Sequence, residues 1–297
     1  MSKNATKLYI HVGYPKCASS FLQMEVFFKD KRIKFHGIIR DPDNSISFKK
    51  VKFNSLIDTF ARYARGKTNF APKSKDLFEL MNHDINVISD EDFISNGIIS
   101  VEDKALRIKN IFPSAEIIVV VRSPISFLKS LYYFYFRGGL INVGFNDWVN
   151  KEFLNYENSM NLQYFHYEKY IGIFVKNFGK DNVHVLNLED LKYNSDAFLS
   201  SLYKIIGLKY LKKEKNIKKR NTALSASAIQ FGKKYPLIWR IRGYFPQPIR
   251  RIVRYILSTI KTQEEALNSS NVKRINKLYV NDIRYLENNF GIVFKEM

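Results

Sequence analysis

Residues 13–20, GYPKCASS, place a glycine, a lysine and two serines between an apolar run, KLYI, and a helical pattern, FLQMEVFF. A loop between a strand and a helix directs backbone N–H groups and the positive end of the helix dipole at one point, where an anion can bind. Lys16 would add a mobile positive charge, and Ser19 and Ser20 would add hydroxyl donors. The pattern predicts a phosphate site. The alternative is an ordinary turn with a solvated lysine.

This loop differs from GxxxxGK[ST], the pattern that binds nucleoside triphosphates. The segment has no second glycine, and neither serine nor threonine directly follows Lys16. In the nucleotide-binding pattern that hydroxyl is a ligand of Mg²⁺. A P-loop nucleotide kinase therefore stays an alternative that the loop does not favour.

A second segment with the same chemistry follows the apolar run EIIVVV at residues 116–121. Arg122 comes directly after this predicted strand, and Ser130 follows eight residues later, about two turns into the next predicted helix. A guanidinium binds a phosphate as a two-pronged donor. Beside the first loop, Arg122 and Ser130 could hold a second phosphate. The alternative for Arg122 is a structural salt bridge.

Together the two segments resemble the sulfotransferases that use 3′-phosphoadenosine 5′-phosphosulfate (PAPS), in particular their bacterial and carbohydrate-type branch. GYPKCASSF is similar to the family's 5′-phosphosulfate loop, T-Y-P-K-S-G-T-T-W, and RSPISFLKS is similar to its 3′-phosphate element. Their order and separation are similar too. In the first segment Tyr14, Pro15 and Lys16 match, Gly13 takes the first Thr position, Cys17 and Ala18 replace Ser and Gly, and Ser19 and Ser20 replace the Thr pair.

The resemblance implies PAPS as co-substrate, with no metal, and Lys16 near the bridging oxygen of the phosphosulfate. The basic segment KKRNTALSASA resembles the loop that covers the nucleotide in this branch. The small-molecule branch has R-K-G and G-D-W there, which this chain lacks, and this argues against a phenol or steroid acceptor. The implied binding residues are Gly13, Tyr14, Pro15, Lys16, Cys17, Ala18, Ser19, Ser20, Arg122, Ser130, Arg220 and Asn221.

Transfer to a hydroxyl also needs a general base near the sulfate. In the family this base often lies at the end of the strand that precedes EIIVVV, as a His or as a Glu after Ser. Glu91, in the segment SDED with Asp90 as its neighbour, fits that position. His36, at the end of the second predicted strand, is a rival candidate, and His83 is a more distant one.

Strand-like and helical patterns alternate along the chain, which predicts a doubly wound, mainly parallel α/β sheet flanked by helices in one domain, residues 1–297. Residues from about 210 to 297 would form a basic loop and a helical C-terminal part of it. The predicted strands are Lys7–Val12, Ile33–Ile38, Ile85–Ser89, Glu116–Val121 and Asn182–Leu188. The predicted helices include Ser19–Lys29, Asn54–Arg65, Val101–Phe112, Ile125–Phe136, Asn161–Phe178, Ser195–Ile206 and Thr262–Asn289, the last with Thr262 and Glu265 spaced as a capping box.

The chain of 297 residues carries a formal net charge of +20, which indicates an anionic partner. A polysaccharide or glycolipid acceptor fits this charge. Nucleic acid is not expected, because no zinc-finger spacing, ribonucleoprotein motif or arginine-rich tail is present. A non-catalytic polyanion-binding protein nevertheless stays an alternative.

The expected location is the cytoplasm. One cysteine, Cys17, excludes an internal disulfide, and neither a signal peptide nor a membrane-spanning run is evident. Residues 237–261 interleave arginines with aromatic and aliphatic residues, so they either lie on an anionic membrane at the inner face or pack on the core.

Overall fold

A single parallel sheet organises the computed structural model, which describes residues 6–37, 55–212, 226–241, 244–259 and 265–294. The strand order is β2-β3-β1-β4-β5, and each pair of neighbours is parallel. This confirms the α/β class and the predicted parallel sheet. The strands are β1 (Lys7–Gly13), β2 (Ile33–Gly37), β3 (Ile85–Ser89), β4 (Glu116–Val121) and β5 (Val183–Asn187).

The central strands are apolar on both faces because helices cover both sides of the sheet. In β4 every residue after Glu116 is buried, as expected for a strand inside a parallel sheet. From β1 the chain continues to β2 and β3 on one side, and it then places β4 and β5 on the other. The direction of winding reverses between β1 and β4. Ligands of open α/β sheets bind at such a switch point, outside the carboxyl ends of the strands.

Helices connect and cover these strands. Short 3₁₀ turns occupy Glu91–Phe93, Tyr156–Asn158 and Lys180–Asn182. The other helices are α1 (Ser19–Phe21), which continues as a π-helix over Leu22–Phe27, α2 (Ser55–Ala64), α3 (Ser74–Leu80), α4 (Val101–Ile111), α5 (Pro124–Gly138), α6 (Phe145–Leu154), α7 (Met160–Gln163), α8 (Tyr167–Phe178), α9 (Leu188–Tyr193), α10 (Ser195–Ile205), α11 (Ala226–Lys234), α12 (Pro236–Ile241), α13 (Gln247–Thr259), α14 (Ser269–Leu278) and α15 (Val280–Phe290).

The predicted helix Asn161–Phe178 is wrong as a continuous element, because α7 ends at Gln163 and α8 begins at Tyr167. A separate cap supports the start of α8: the Glu168 backbone N–H donates to the Asp282 carboxylate at 3.0 Å. This partner is distant in sequence, so the local helical pattern could not reveal the break.

The predicted helix Thr262–Asn289 is also wrong at its start. Helix α14 begins at Ser269, and the Asn268 side chain caps it by accepting from the Asn271 N–H at 2.8 Å. The Glu265 carboxylate accepts instead from the Phe145 N–H at 3.0 Å, and it does not belong to a helix. Thr262 lies outside the described residues.

The chain divides into two compact units. The sheet unit comprises residues 1–122, 166–220 and 281–296 and contains all five described strands. The helical unit comprises residues 123–165 and 221–280. Its interior includes Tyr132, Trp148 and Trp239, whose indole N–H donates to the Phe136 carbonyl at 2.6 Å. The single-domain organisation stays a prediction.

Candidate active site

The anion loop, residues 13–20, leaves the carboxyl end of β1 at the switch point. Its backbone is fixed to the neighbouring strand, since the Tyr14 N–H donates to the Val120 carbonyl at 3.0 Å. The Ala18 carbonyl accepts from the N–H groups of Phe21 and Leu22 in the following helix, at 2.9 and 3.0 Å. Within the described residues, the N–H groups of Ala18 and Ser19 donate to no backbone carbonyl, as is usual in the first turn of a helix. These groups can serve an anionic ligand.

The loop has an unusual backbone. Lys16 and Ala18 both have φ of 62°, in the left-handed region that non-glycine residues rarely adopt. Ala18, in the left-handed region, is followed by Ser19 in a right-handed helix, and such a pair turns successive N–H groups toward one point and forms an anion-binding concavity. The π-helix that follows is a further rarity that occurs often at functional sites. The geometry therefore supports an anion site over an ordinary turn.

Gly13 lets the loop approach the end of β3. Its φ is 128°, and a Cβ atom at this position would lie 2.8 Å from Ile94 Cγ2 and 3.3 Å from the Glu91 carbonyl oxygen. Glycine is required here both by conformation and by space. The approach places the backbone of Glu91 directly against the first residue of the anion loop.

The side chains of the loop divide between core and surface. Tyr14, Cys17 and Ser19 are buried, whereas Lys16 and Ser20 are half-buried. The Ser19 hydroxyl donates to the Tyr14 carbonyl at 3.4 Å. Burial raises the pKa of the Cys17 thiol, against the opposing effect of Arg122, so the thiol is protonated at neutral pH. Cys17 thus fills a small buried position that serine takes in the resembling motif.

Arg122 lies at the carboxyl end of β4, the strand adjacent to β1. Its Nε atom is 3.8 Å from a carboxylate oxygen of Glu189, which is almost completely buried. Nε is itself buried and has no hydrogen-bond acceptor among the described residues. The structure therefore contains the ion pair that was the alternative for Arg122, and it also leaves a buried donor that a bound anion would satisfy.

Two tyrosines connect Arg122 to the anion loop. The Tyr167 hydroxyl donates to the Arg122 carbonyl at 2.5 Å, and the Tyr167 ring packs edge-on against the Tyr14 ring with 5.2 Å between centroids. Burial raises the pKa of both phenols, so both are neutral. Because both rings are rigid and buried, they hold the strand end and the loop in a fixed relation.

Glu91 begins the 3₁₀ turn that follows β3, and it is half-buried. Asp90 beside it has a structural role: its carboxylate accepts from the Asp92 N–H at 3.0 Å and pairs with Arg65 at 3.3 Å. Burial raises the pKa of Asp90 to about 6. Of these two acidic residues, Glu91 is the one whose backbone lies against Gly13 of the anion loop.

His36 lies on β2, the edge strand, with β3 between it and β1. Two strand spacings separate it from the anion loop by about 10 Å. Its Nε2 atom is 3.3 Å from the Asn86 amide oxygen, and burial lowers the pKa of its imidazole. His83 precedes β3 and is therefore at the amino end of the sheet, opposite the anion loop.

The remaining predicted residues are not placed at this site by the described geometry. Ser130 is half-buried on α5 in the helical unit. Arg220 and Asn221 lie outside the described residues. Their roles stay predictions. No group of three or more His, Cys, Asp or Glu side chains that could hold a metal occurs in the described ranges.

A buried polar cluster behind the loop was missed from the sequence. His11 Nδ1 is 2.8 Å from the Ser89 hydroxyl, which also accepts from the Gln23 amide at 3.0 Å. All three residues are buried. They join β1, β3 and the π-helix, the three elements around the loop. The available signal was a histidine inside an otherwise apolar strand, LYIHV.

No family model matches the sequence, and no curated protein matches it significantly. Three solved structures that match the chain are sulfotransferases. One, from Alicyclobacillus acidocaldarius, is 12% identical, covers 83% of this chain and 99% of its own, and gives a TM-score of 0.48. A mouse sulfotransferase complexed with PAP is 10% identical over 97% and 87% of the two chains, with a TM-score of 0.47.

The third is the sulfotransferase domain of the Synechococcus olefin synthase, with 11% identity over 93% of this chain and 95% of its own, and a TM-score of 0.44. At these identities and TM-scores the likeness identifies neither the reaction nor the acceptor.

Proposed function

We propose that the protein transfers a sulfuryl group from PAPS to a hydroxyl of an acceptor. The observation that supports this is the pair of anion-binding elements at the switch point: the anion loop after β1 and Arg122 after β4. Adjacent strand ends are about 5 Å apart, so the two elements can serve one ligand with two separate anionic groups. PAPS is such a ligand, because it carries a phosphosulfate at one ribose position and a phosphate at another.

The residues fit this donor. Gly13 and the N–H groups of Ala18 and Ser19 form a cradle for the 5′-phosphosulfate, and Arg122 offers its buried Nε donor to the 3′-phosphate. We assign Ser130 to the 3′-phosphate as well. Arg220 and Asn221 would contact the nucleotide from outside the described ranges.

The bound donor supplies an electrophilic sulfur with a phosphate leaving group. The acceptor oxygen forms the new S–O bond while the bond from sulfur to the 5′-phosphate oxygen breaks. Lys16 and the loop N–H groups stabilise the negative charge that develops on that phosphate. Glu91 accepts the proton of the acceptor hydroxyl. His36 is the second candidate for this base, at a greater distance from the loop.

The proposed acceptor is a carbohydrate or glycolipid hydroxyl. The net charge of +20 supports it, because a strongly basic protein attracts acidic glycans and anionic headgroups. The proposed compartment is the cytoplasm. Its reducing environment suits a protein whose one cysteine is buried and has no disulfide partner.

The test is calorimetric binding of three nucleotides without magnesium. They are PAP (3′-phosphoadenosine 5′-phosphate, the desulfated product of PAPS), 5′-AMP and ATP. We expect PAP to bind at least tenfold more tightly than 5′-AMP, because only PAP has a 3′-phosphate. Arg122→Ala should abolish this preference and leave 5′-AMP binding unchanged. Lys16→Ala should weaken both ligands. Lys31→Ala, which removes one exposed charge outside the loop, is the matched control and should bind like the wild type.

Equal binding of ATP and PAP would instead support the kinase alternative. Salt-sensitive binding of an oligonucleotide that is tighter than PAP binding would support a polyanion-binding protein. Arg122→Lys accompanies the alanine variant because it keeps the charge opposite Glu189 and separates loss of binding from loss of folding.

A further inference from the structure

Helices α12 and α13 of the helical unit both expose aliphatic side chains, which together are here called the aliphatic face. Its members are Leu237, Ile241, Ile249, Ile252, Val253 and Ile256. Ile252 and Ile256 are 59% and 52% exposed, and Leu237 is 76% exposed. Scattered exposed apolar residues are normal, but exposed aliphatic side chains that recur along α13, with more on α12 before it, indicate an interaction site.

The sequence of α13 makes the helix strongly amphipathic. Positions 249, 252, 253 and 256 follow the spacing i, i+3, i+4 and i+7 and share one side of the helix. By the same period the arginine positions 250, 251 and 254 belong to the opposite side. A surface helix ordinarily buries its apolar side, whereas here that side is the exposed one.

Both helices are attached at other positions, so the exposure is not a consequence of loose packing. In α12 the buried Trp239 donates to the Phe136 carbonyl. In α13 the buried Leu257 lies at the flank, and its carbonyl accepts from the Ser227 hydroxyl. These anchors hold the helices while their aliphatic face stays outside.

The charge of the surrounding sequence indicates what covers this face. Residues 215–263 contain twelve lysines and arginines and no Asp or Glu. A second copy of the chain would bring like charges together, which disfavours a self-interface. A single-stranded nucleic acid needs aromatic rings for base stacking. Tyr255 of α13 is exposed, but the aliphatic face itself consists of Leu, Ile and Val. An anionic lipid surface offers negative headgroups to the arginines and acyl chains to the isoleucines.

We propose that α12 and α13 lie in the interfacial plane of an anionic bilayer, with the aliphatic face in the acyl boundary and the arginines at the headgroups. No described helix is long and apolar enough to cross a membrane. This surface belongs to the helical unit and does not include the anion loop. The inference is therefore independent of the proposed reaction.

Co-flotation of the full chain with vesicles tests it. The two vesicle types are phosphatidylcholine alone and phosphatidylcholine with about one third phosphatidylglycerol. We expect at least tenfold stronger binding to the anionic vesicles. The double variant Ile252→Ser/Ile256→Ser should lose at least tenfold of that binding. Leu154→Ser, at an 87% exposed leucine of the same unit, is the matched control and should float like the wild type.

Three outcomes would overturn the proposal. In the first, the wild type does not float with either vesicle. In the second, the double variant floats as well as the wild type. In the third, light scattering shows that the wild type is a dimer and the double variant a monomer. The last result would assign the face to a second copy. The circular dichroism spectrum and the urea unfolding of the double variant are measured in parallel and should match those of the wild type, so that loss of vesicle binding is not confused with loss of the fold.

Discussion

Ala18 has a backbone conformation that glycine adopts without strain. Its φ is 62°, and a Cβ in the left-handed region costs roughly 1–2 kcal/mol. Ala18→Gly removes this cost and adds some entropy to the unfolded chain. We expect a net increase of about 0.5–1 kcal/mol in the free energy of unfolding. Urea denaturation followed by circular dichroism measures it.

The control for this substitution is Ala197→Gly, at an exposed position in α10 with ordinary helical geometry. There the same change should lower the free energy of unfolding by about 0.5–1 kcal/mol. Opposite signs for the two variants are the expected result. A loss of stability in Ala18→Gly would show that the loop does not strain this residue.

His11 makes stability depend on pH in a defined direction. Burial lowers the pKa of its imidazole to about 4, and its Nε2 has no hydrogen-bond partner among the described residues. The unfolded chain, with an ordinary pKa of about 6.5, binds the proton more readily. The contribution of neutral His11 to the free energy of unfolding should therefore be fully present above pH 6.5. It should decrease by about 2–3 kcal/mol as the pH falls toward 4.

The measurement is the difference in unfolding free energy between wild type and His11→Gln across this pH range. Asp90 titrates in the same range with the opposite sign, because its pKa is raised on folding, but it contributes equally to both proteins and cancels. A difference that stays constant with pH would contradict the assignment of a neutral, buried His11.

At the scale of the elements, helix α4 stabilises the turn that carries Glu91 through hydrogen bonds from Lys104. The Lys104 ammonium is buried and donates to the carbonyls of Asp92 and Ser95 at 2.8 and 2.6 Å. Lys104→Met keeps most of the stem but leaves both carbonyls without this donor. We expect a loss of about 2–4 kcal/mol in unfolding free energy by urea denaturation.

Lys109→Met on the same helix is the control for Lys104. Its ammonium also donates to a carbonyl, that of Pro113, but at an exposed position where water can replace it. Its cost should be below about 1 kcal/mol. Equal effects of the two substitutions would mean that the buried contact does not hold the turn.

The elements also show which parts of the fold could be predicted from sequence. All five strands were predicted within one or two residues. The central strands β1, β3 and β4 are buried on both faces, so they are short apolar runs that need no distant information, and the edge strands β2 and β5 are only partly buried. The helix starts near Tyr167 and Ser269 were missed. The Asp282 carboxylate that supports the first comes from far along the chain, and Glu265 bonds to Phe145 rather than capping a helix.

The same distinction applies to the site. Lys16 and Arg122 were chosen from the sequence because each follows the end of a predicted strand. The strand order that places β1 beside β4 comes from the structure. The ion pair of Arg122 with Glu189 and the hydrogen bond between His11 and Ser89 were not predictable from the sequence. Each joins residues more than 60 positions apart, and only the register of the strands brings them together.

For the molecule as a whole, the net charge of +20 creates a positive field that acts before any contact forms. Such a field raises association rates for anions, and salt screens it within about 10 Å at 0.1 M. In the proposed complex with PAP, contacts in the anion loop would act on the bound state instead and slow dissociation. Association and dissociation rates therefore report different parts of the structure.

Stopped-flow binding of PAP between about 20 mM and about 0.5 M salt separates these contributions. We expect the association rate constant to fall roughly tenfold or more, with a smaller change in dissociation. PAP carries about four negative charges and 5′-AMP about two, so the logarithmic salt dependence for 5′-AMP should be about half as steep. Lys16→Ala should mainly accelerate dissociation, because it removes one charge of a large excess. Equal slopes for both ligands, or a salt effect confined to dissociation, would mean that local ion pairs rather than the field of the whole chain govern capture of the nucleotide.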